Sequence, residues 1–253
     1  MNAAVIYGYN HNEVTSLLAG QEYLNHESLG YNVRPRSAVG HAINSVYGYV
    51  QEGIYQTEEE VANSPKWPKA EPGSIKYKDL NHDGVINDQD RTYIGNAMPH
   101  STLGVNLNMK YKNWDFAMFW QGDFGKDLFW GYFGGRYSVS NFRNVNKEWL
   151  GRWHGPGTSN VMPKNVFGKE YNDISSFHMQ KADYFRLKNI SLGYTFKFKN
   201  HMQARVYVAG QNLLTFTPFK GIDPEQNGVG MFNAWGDSYP QPRNYTLGVN
   251  LNF

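Results

Sequence analysis

Arg243-Asn-Tyr-Thr-Leu-Gly-Val-Asn-Leu-Asn-Phe253 alternates without a break. Successive side chains of an extended strand point to opposite faces. Tyr245, Leu247, Val249, Leu251 and Phe253 therefore share one side, and Thr246, Gly248, Asn250 and Asn252 the other. The first face is wholly apolar. The second is polar and uncharged. A half-buried strand of a soluble protein alternates in the same way, so the reading turns on what the neighbouring segments do.

They repeat it. Leu103 to Tyr111 has apolar residues at every odd position and Gly104, Asn106, Asn108 and Lys110 between them. Lys112-Asn113 reads as a tight turn into Trp114 to Gln121, whose Trp114, Phe116, Met118 and Trp120 share a face, so the pair is a hairpin. Tyr184 to Phe198 places Ile190, Leu192, Tyr194 and Phe196 together, turns at 199–201, and returns as Ala204 to Leu214. Between these hairpins lie long stretches, 122–182 and 215–242, rich in Gly, Asn, Pro and aromatics and expected to be irregular, with a short helix within 144–153. Upstream, Ala3 to Tyr9 and Ala42 to Tyr49 read as weaker strands. The stretch 56–73 reads as loop, with a short helix at Glu58 to Asn63 capped by Thr57. The rhythm is strand, tight turn, strand, long loop. Strands of about nine to eleven residues suit a tilted bilayer crossing. Compact soluble domains rarely carry such loops, whereas outer-membrane barrels carry them on the extracellular side. The expected fold is all-β: antiparallel strands of a large transmembrane β-barrel with long extracellular loops, occupying residues 1–253.

Composition agrees. Aromatics are 16% of the 253 residues, yet the mean hydropathy is −0.62. Aromatic richness in a polar background fits a barrel, where only alternate residues meet lipid; an aromatic-rich soluble sandwich fits it equally well. The net charge of +2, with acids and bases interleaved, gives no nucleic-acid footprint. Cysteine is absent, which excludes disulfides and thiolate chemistry. No apolar run approaches the roughly 18 residues of a membrane helix. Met1 is not followed by a secretory signal pattern, so the chain is expected to be a piece of a longer precursor.

One motif bears chemistry. Asp79-Leu-Asn81-His-Asp83-Gly-Val85-Ile-Asn87-Asp-Gln-Asp90 matches a calcium-binding loop position by position. Asp79, Asn81 and Asp83 occupy positions that supply side-chain oxygens, Gly84 the sharp turn, Val85 a carbonyl, and Asn87 a water-mediated contact. Asp90 stands where a longer, bidentate Glu is usual. The flanks do not read as helices, so the expectation is a Ca²⁺ staple at 79–90, with Mg²⁺ as the alternative ion. An Asx-rich turn without an ion is the plain alternative. No nucleophile–base set emerges. Trp130, Tyr132, Phe133, Trp235 and Tyr239 are candidate contacts for a sugar or a partner, or loop packing. Asp123 and Asp127, around Gly125, form a carboxylate pair or simple turn chemistry.

Taken in order, several stretches resemble the SusC/RagA-type TonB-dependent transporters. They are Asn12 to Val14, Val46 to Val50, Glu52 to Tyr55, Glu71 to Asn81 running into Asp83 to Ile86, Asp90 to Asn96 with Pro99, Phe119 to Gly122, Tyr184 to Tyr194, Val208 to Leu213, and Tyr239 to Arg243. The resemblance covers nearly the whole chain. It implies the C-terminal part of a plugged barrel of the roughly 22-stranded class, with the plug, the TonB-contacting segment and the early strands elsewhere. It further implies outer-membrane import of glycans or peptides under a SusD-like surface lipoprotein, with the barrel wall in lipid and the TonB system as energy source. Tyr245, Val249, Leu251 and Phe253 are then the terminal signal read during barrel assembly. Two rivals stand beside it: a calcium-stapled β-structured surface glycan-binding protein or adhesin, and, more weakly, an outer-membrane enzyme.

Overall fold

The computed structural model describes residues 1–26, 35–129, 147–165, 174–199, 202–225 and 241–253. Among these residues the strands are β1 (Asn2–Tyr9), β2 (Tyr23–Asn25), β3 (Pro35–Ala38), β4 (Ser45–Tyr49), β5 (Gln51–Ile54), β6 (Ile75–Tyr77), β7 (Arg91–Gly95), β8 (Ser101–Tyr111), β9 (Trp114–Phe124), β10 (Asp127–Phe129), β11 (Met179–Lys181), β12 (Tyr184–Lys197), β13 (Gln203–Phe216) and β14 (Asn244–Asn252). Six of them form one sheet in the order β1-β8-β9-β12-β13-β14. Every neighbouring pair is antiparallel.

The alternation read from single strands becomes a continuous face through the register. Val5 stands opposite Val105, and Val105 opposite Trp120. Nearer the tight turns, Trp114 opposes Tyr194, Tyr194 opposes Val206, and Val206 opposes Val249. Residues directly opposite in a sheet share a face, so the apolar sides of all six strands coincide. That face is uncovered: Tyr245 is 77% exposed, Leu247 75% and Phe253 85%. So large a contiguous apolar surface is foreign to a water-soluble monomer.

The 112–113 turn between β8 and β9 and the paired ends of β12 and β13, Lys197 opposite Gln203, lie at one end of the sheet. The connections 10–100, 125–183 and 217–243 all leave from the other end. The strand-length expectation holds for β8 and β9, at 11 residues each. It fails for β12 and β13, at 14 each. Relative to β9 their extra length is at the tight-turn end, where Thr195, Phe196 and Lys197 run on past the level of Trp114 and pair with Arg205, Ala204 and Gln203. The register also slips between Leu187 and Asn189. Beside that slip Asn212 adopts φ 54°, a left-handed conformation that asparagine tolerates and that β-bulges use.

The connections 125–183 and 217–243 are largely irregular among the described residues, as expected, with only the short β10 and β11 and 3₁₀ turns in them. Together with 10–100 they build a cap of their own. A four-stranded sheet β2-β3-β4-β7 and two-stranded sheets β5-β6 and β10-β11 form within it. The helix α1 (Glu58–Asn63) is present as expected, with Thr57 Oγ1 accepting the Glu60 amide at 3.1 Å. Within 144–153 the described part is a 3₁₀ turn at Lys147–Gly151. The hydrophobic core lies here and not behind the sheet: Ile54, Ile75, Tyr77 and Ile86 from the first connection meet Leu128, Trp149 and Phe177 from the second and Phe219 from the third. Each connection alone is too short of apolar residues to bury a core, and together they close one.

Candidate functional site

The polar face of the sheet is lined by Asn106, Asn108, Gln121, Ser191, Thr195, Gln203 and their neighbours, as the strand alternation dictates. One ion pair crosses it. Asp115 on β9 stands opposite Gly193 on the intervening β12, and Arg205 on β13 stands opposite Thr195, the next residue along on the same face. Arg205 Nε donates to Asp115 Oδ1 at 2.9 Å and Nη2 to Oδ2 at 2.5 Å. The guanidinium reaches across because Gly193 has no side chain: a Cβ there would lie 2.6 Å from Arg205 Nε. A bidentate pair of this kind fixes orientation as well as charge.

At the loop end, the same face carries a cluster that fastens the cap to the sheet. Arg186 on β12 is 3% exposed. Its Nη2 donates to Asp223 at 2.6 Å, its Nη1 to Glu225 at 2.6 Å, and its Nε to Thr215 Oγ1 at 2.9 Å. Lys188 donates to the other Glu225 oxygen at 2.5 Å. Beside them Lys126, buried, donates to the Pro224 carbonyl at 2.8 Å and lies 3.6 Å from Asp123. Burial pulls the Lys126 ammonium below the ordinary lysine range, and Asp123, Glu225 and Asp183 push back. Sequence reading did not find these residues as a group, because Arg186, Asp223 and Glu225 are separated by a strand and a turn.

The 79–90 loop wraps as its spacing requires. Asp79 accepts the amides of His82 at 2.7 Å and Gly84 at 2.9 Å. Gly84 adopts φ 83°, a conformation nearly reserved for glycine. Asp83 accepts the amide of Val85 at 2.8 Å, and Asn81 Nδ2 donates to Asp83 at 2.9 Å. Asn87 caps a 3₁₀ turn by accepting the Gln89 amide at 2.8 Å. Asp90 is wholly buried and accepts the amides of Leu80 at 2.9 Å and Asn87 at 2.8 Å. Ile86, between these polar residues, is buried in the cap core, and its amide donates to Lys66 at 3.1 Å. Desolvation raises the Asp79 carboxyl, but the amides of Gly84, His82 and Asp83 outweigh it and hold the group below its ordinary value. The loop thus gathers Asp79, Asn81 and Asp83 on its exposed side. No set of three Asp, Glu, His or Cys side chains converges as a ready cation cage among the described residues.

The other expected positions divide. Trp130, Tyr132, Phe133, Trp235 and Tyr239 lie outside the described residues. Tyr245, Val249, Leu251 and Phe253 lie on the exposed apolar face. Asp123 and Asp127 do not act as a pair: Asp123 faces Lys126, and Asp127 binds Lys181 at 2.8 Å. His178 is buried and stacks on Phe129 with centroids 5.4 Å apart.

No protein-family model matches the chain. It is 30% identical over its whole length to TonB-dependent receptor P3 of Formosa agariphila. To TonB-dependent receptor SusC of Bacteroides thetaiotaomicron it is 26% identical over 97% of its length. It spans about a quarter of these relatives, 26% and 24% of their lengths. Its fold is that of part of the RagAB peptide transporter, with a TM-score of 0.74 and 24% identity over 99% of the chain and 27% of that protein.

Proposed function

We propose that this chain, a segment of a TonB-dependent receptor of the SusC/RagA type, supplies barrel wall and outer cap to an importer of glycans or peptides in the bacterial outer membrane. The observation that carries the reading is the six-stranded antiparallel sheet with one unbroken apolar face, all its tight turns at one end and all its long connections at the other. Strands cross lipid only when their backbone groups are paired, and a sheet does so by closing. The remainder of the barrel and the plug supply the pairing for the edges of β1 and β14. The polar face lines the lumen, and the folded cap stands at the outer mouth. A SusD-like lipoprotein covers that mouth, and the TonB system, through a part of the receptor outside this segment, drives import.

The segment itself performs no bond chemistry. Its charged clusters at Arg186 and Arg205 are saturated with structural partners, and neither presents a nucleophile beside a base. Tyr245, Val249, Leu251 and Phe253 form the signal for barrel assembly. The 79–90 loop holds Ca²⁺ through Asp79, Asn81, Asp83, the Val85 carbonyl, Asn87 and Asp90; the wrap about Gly84 and the depressed Asp79 carboxyl support that reading. A calcium-stapled soluble adhesin is the rival, and the bare apolar face weighs against it.

The test is made on the whole receptor in its host. The expected result is recovery in the outer-membrane fraction, migration that changes on boiling, and loss of uptake of fluorescent oligosaccharides or oligopeptides when the gene is deleted. Recovery as a detergent-free soluble protein, or unchanged uptake of both substrate classes, would overturn the proposal.

A further inference from the structure

The apolar face is not uniformly flat. Near the tight turns it is indented by a groove of about 510 Å³ lined by Trp114, Leu192, Tyr194, Phe196, Val206 and Val208, with Tyr207 at its margin. The shape follows from residue sizes. Trp114, Tyr194 and Phe196 form a connected aromatic wall, with ring centroids 4.8 Å apart at each step. The shorter Leu192, Val206 and Val208 form the floor.

A cation adjoins the groove. The turn at 112–113 is tied to the wall: the Asn113 carbonyl accepts the Thr195 amide at 2.9 Å, and Asn113 Nδ2 lies 3.4 Å from the Tyr194 hydroxyl. Lys112 sits in that turn with its ammonium 5.4 Å from the ring of Tyr111. Tyr111 belongs to the apolar face, opposite Trp114, so the ammonium lies on the lipid side. In the stretches 107–118, 190–209 and 247–253 the one acidic residue is Asp115, which lies on the polar face bound to Arg205. Lys110, near Asp115, and Lys197, opposite Gln203, are placed on the polar face by strand alternation. Lys112 therefore has no acidic side chain competing for it in these stretches on the lipid side.

We propose that this groove is a seat for one anionic glycerophospholipid of the leaflet at the tight-turn end. One acyl chain lies along Leu192, Val206 and Val208 against the aromatic wall, and the phosphate rests on Lys112. The inference rests on the barrel reading and adds to it: most of the lipid-facing wall is a smooth surface for exchanging lipid, and this indentation pairs shape with charge. Apolar pockets with a few fixed polar groups at one end select ligands in this way, and basic residues beside an apolar surface favour anionic headgroups.

The test uses the whole receptor, purified in detergent, stripped of lipid and offered equal amounts of phosphatidylglycerol and phosphatidylcholine with identical chains, with retained lipid read by native mass spectrometry. One phosphatidylglycerol per barrel is expected, in several-fold preference over phosphatidylcholine. The variant K112Q brings the two lipids to parity. V206W fills the floor with a residue that an interfacial aromatic belt tolerates, and abolishes retention of both. Each variant is first shown to keep its heat-modifiable migration. Lack of preference in the unmodified receptor, retention by V206W, or selective capture of lipid A phosphates in place of the glycerophospholipid overturns the seat alone. A receptor soluble without detergent overturns the barrel reading as well.

Discussion

Asp79 and Asp90 open and close the same loop and do different work. Asp79 is held ionised by backbone amides on the exposed side, where a cation has access. Asp90 is buried and ties the loop shut through Leu80 and Asn87. The 12-residue spacing was legible because hard oxygen ligands converge only where the chain wraps, and Gly84 marks the wrap. What spacing left open was which carboxylate faces inward, since that follows from Ile86 entering the cap core and drawing the loop down with it. The calcium proposal belongs to this scale. Titrating Ca²⁺ into the intact receptor calorimetrically is expected to give binding heat that D79A/D83A loses, with affinity falling tenfold or more, about 1.4 kcal/mol. Equal heats in both would remove the site.

At the scale of elements, β9, β12 and β13 were legible one at a time and their pairing was not. Alternation put Asp115, Gly193 and Arg205 on polar faces, but only the register sets Asp115 directly beside Gly193 and Arg205 diagonally across it. Gly193 then reads as a gap through which the salt bridge passes. Asp115→Ala and Gly193→Ala remove the same interaction from two directions: the first takes the acceptor, the second displaces the guanidinium. Each is expected to cost about 1–3 kcal/mol, and the double variant little more than the costlier single one, because contacts that share a network are not additive. Urea unfolding of the receptor in liposomes measures this, and strictly additive costs would refute a shared bridge. The bulge at Asn212 was equally hidden, since asparagine is common on polar faces and its left-handed backbone is visible only where the ladder slips.

At the scale of the whole molecule, the cap depends on Arg186. Three connections supply its core, and the third is fastened to the wall through the buried Arg186–Asp223–Glu225 group. Breaking such a group by removing one partner leaves buried charge uncompensated and costs about 3–5 kcal/mol. Arg186→Met is therefore expected to raise amide exchange across 217–225 and around Phe219 and Phe177, while strand amides of β8 and β14 stay protected. Exchange unchanged in the cap would show that the core holds it without the latch. The sequence by itself determined the six strands of the large sheet, their apolar and polar faces, the tight turn at 112–113 and the wrap of the 79–90 loop, because each is a matter of period or spacing within a dozen residues. What it did not reveal is that the long connections pack into one cap, built by contacts between segments about a hundred residues apart. The terminal strand Arg243 to Phe253 shows both halves of this. Its alternation was complete in the sequence, but only its place at the edge of a six-stranded sheet, with the apolar side bare, decided that this side meets lipid and not a core, because which solvent a face meets depends on what the rest of the chain packs against it.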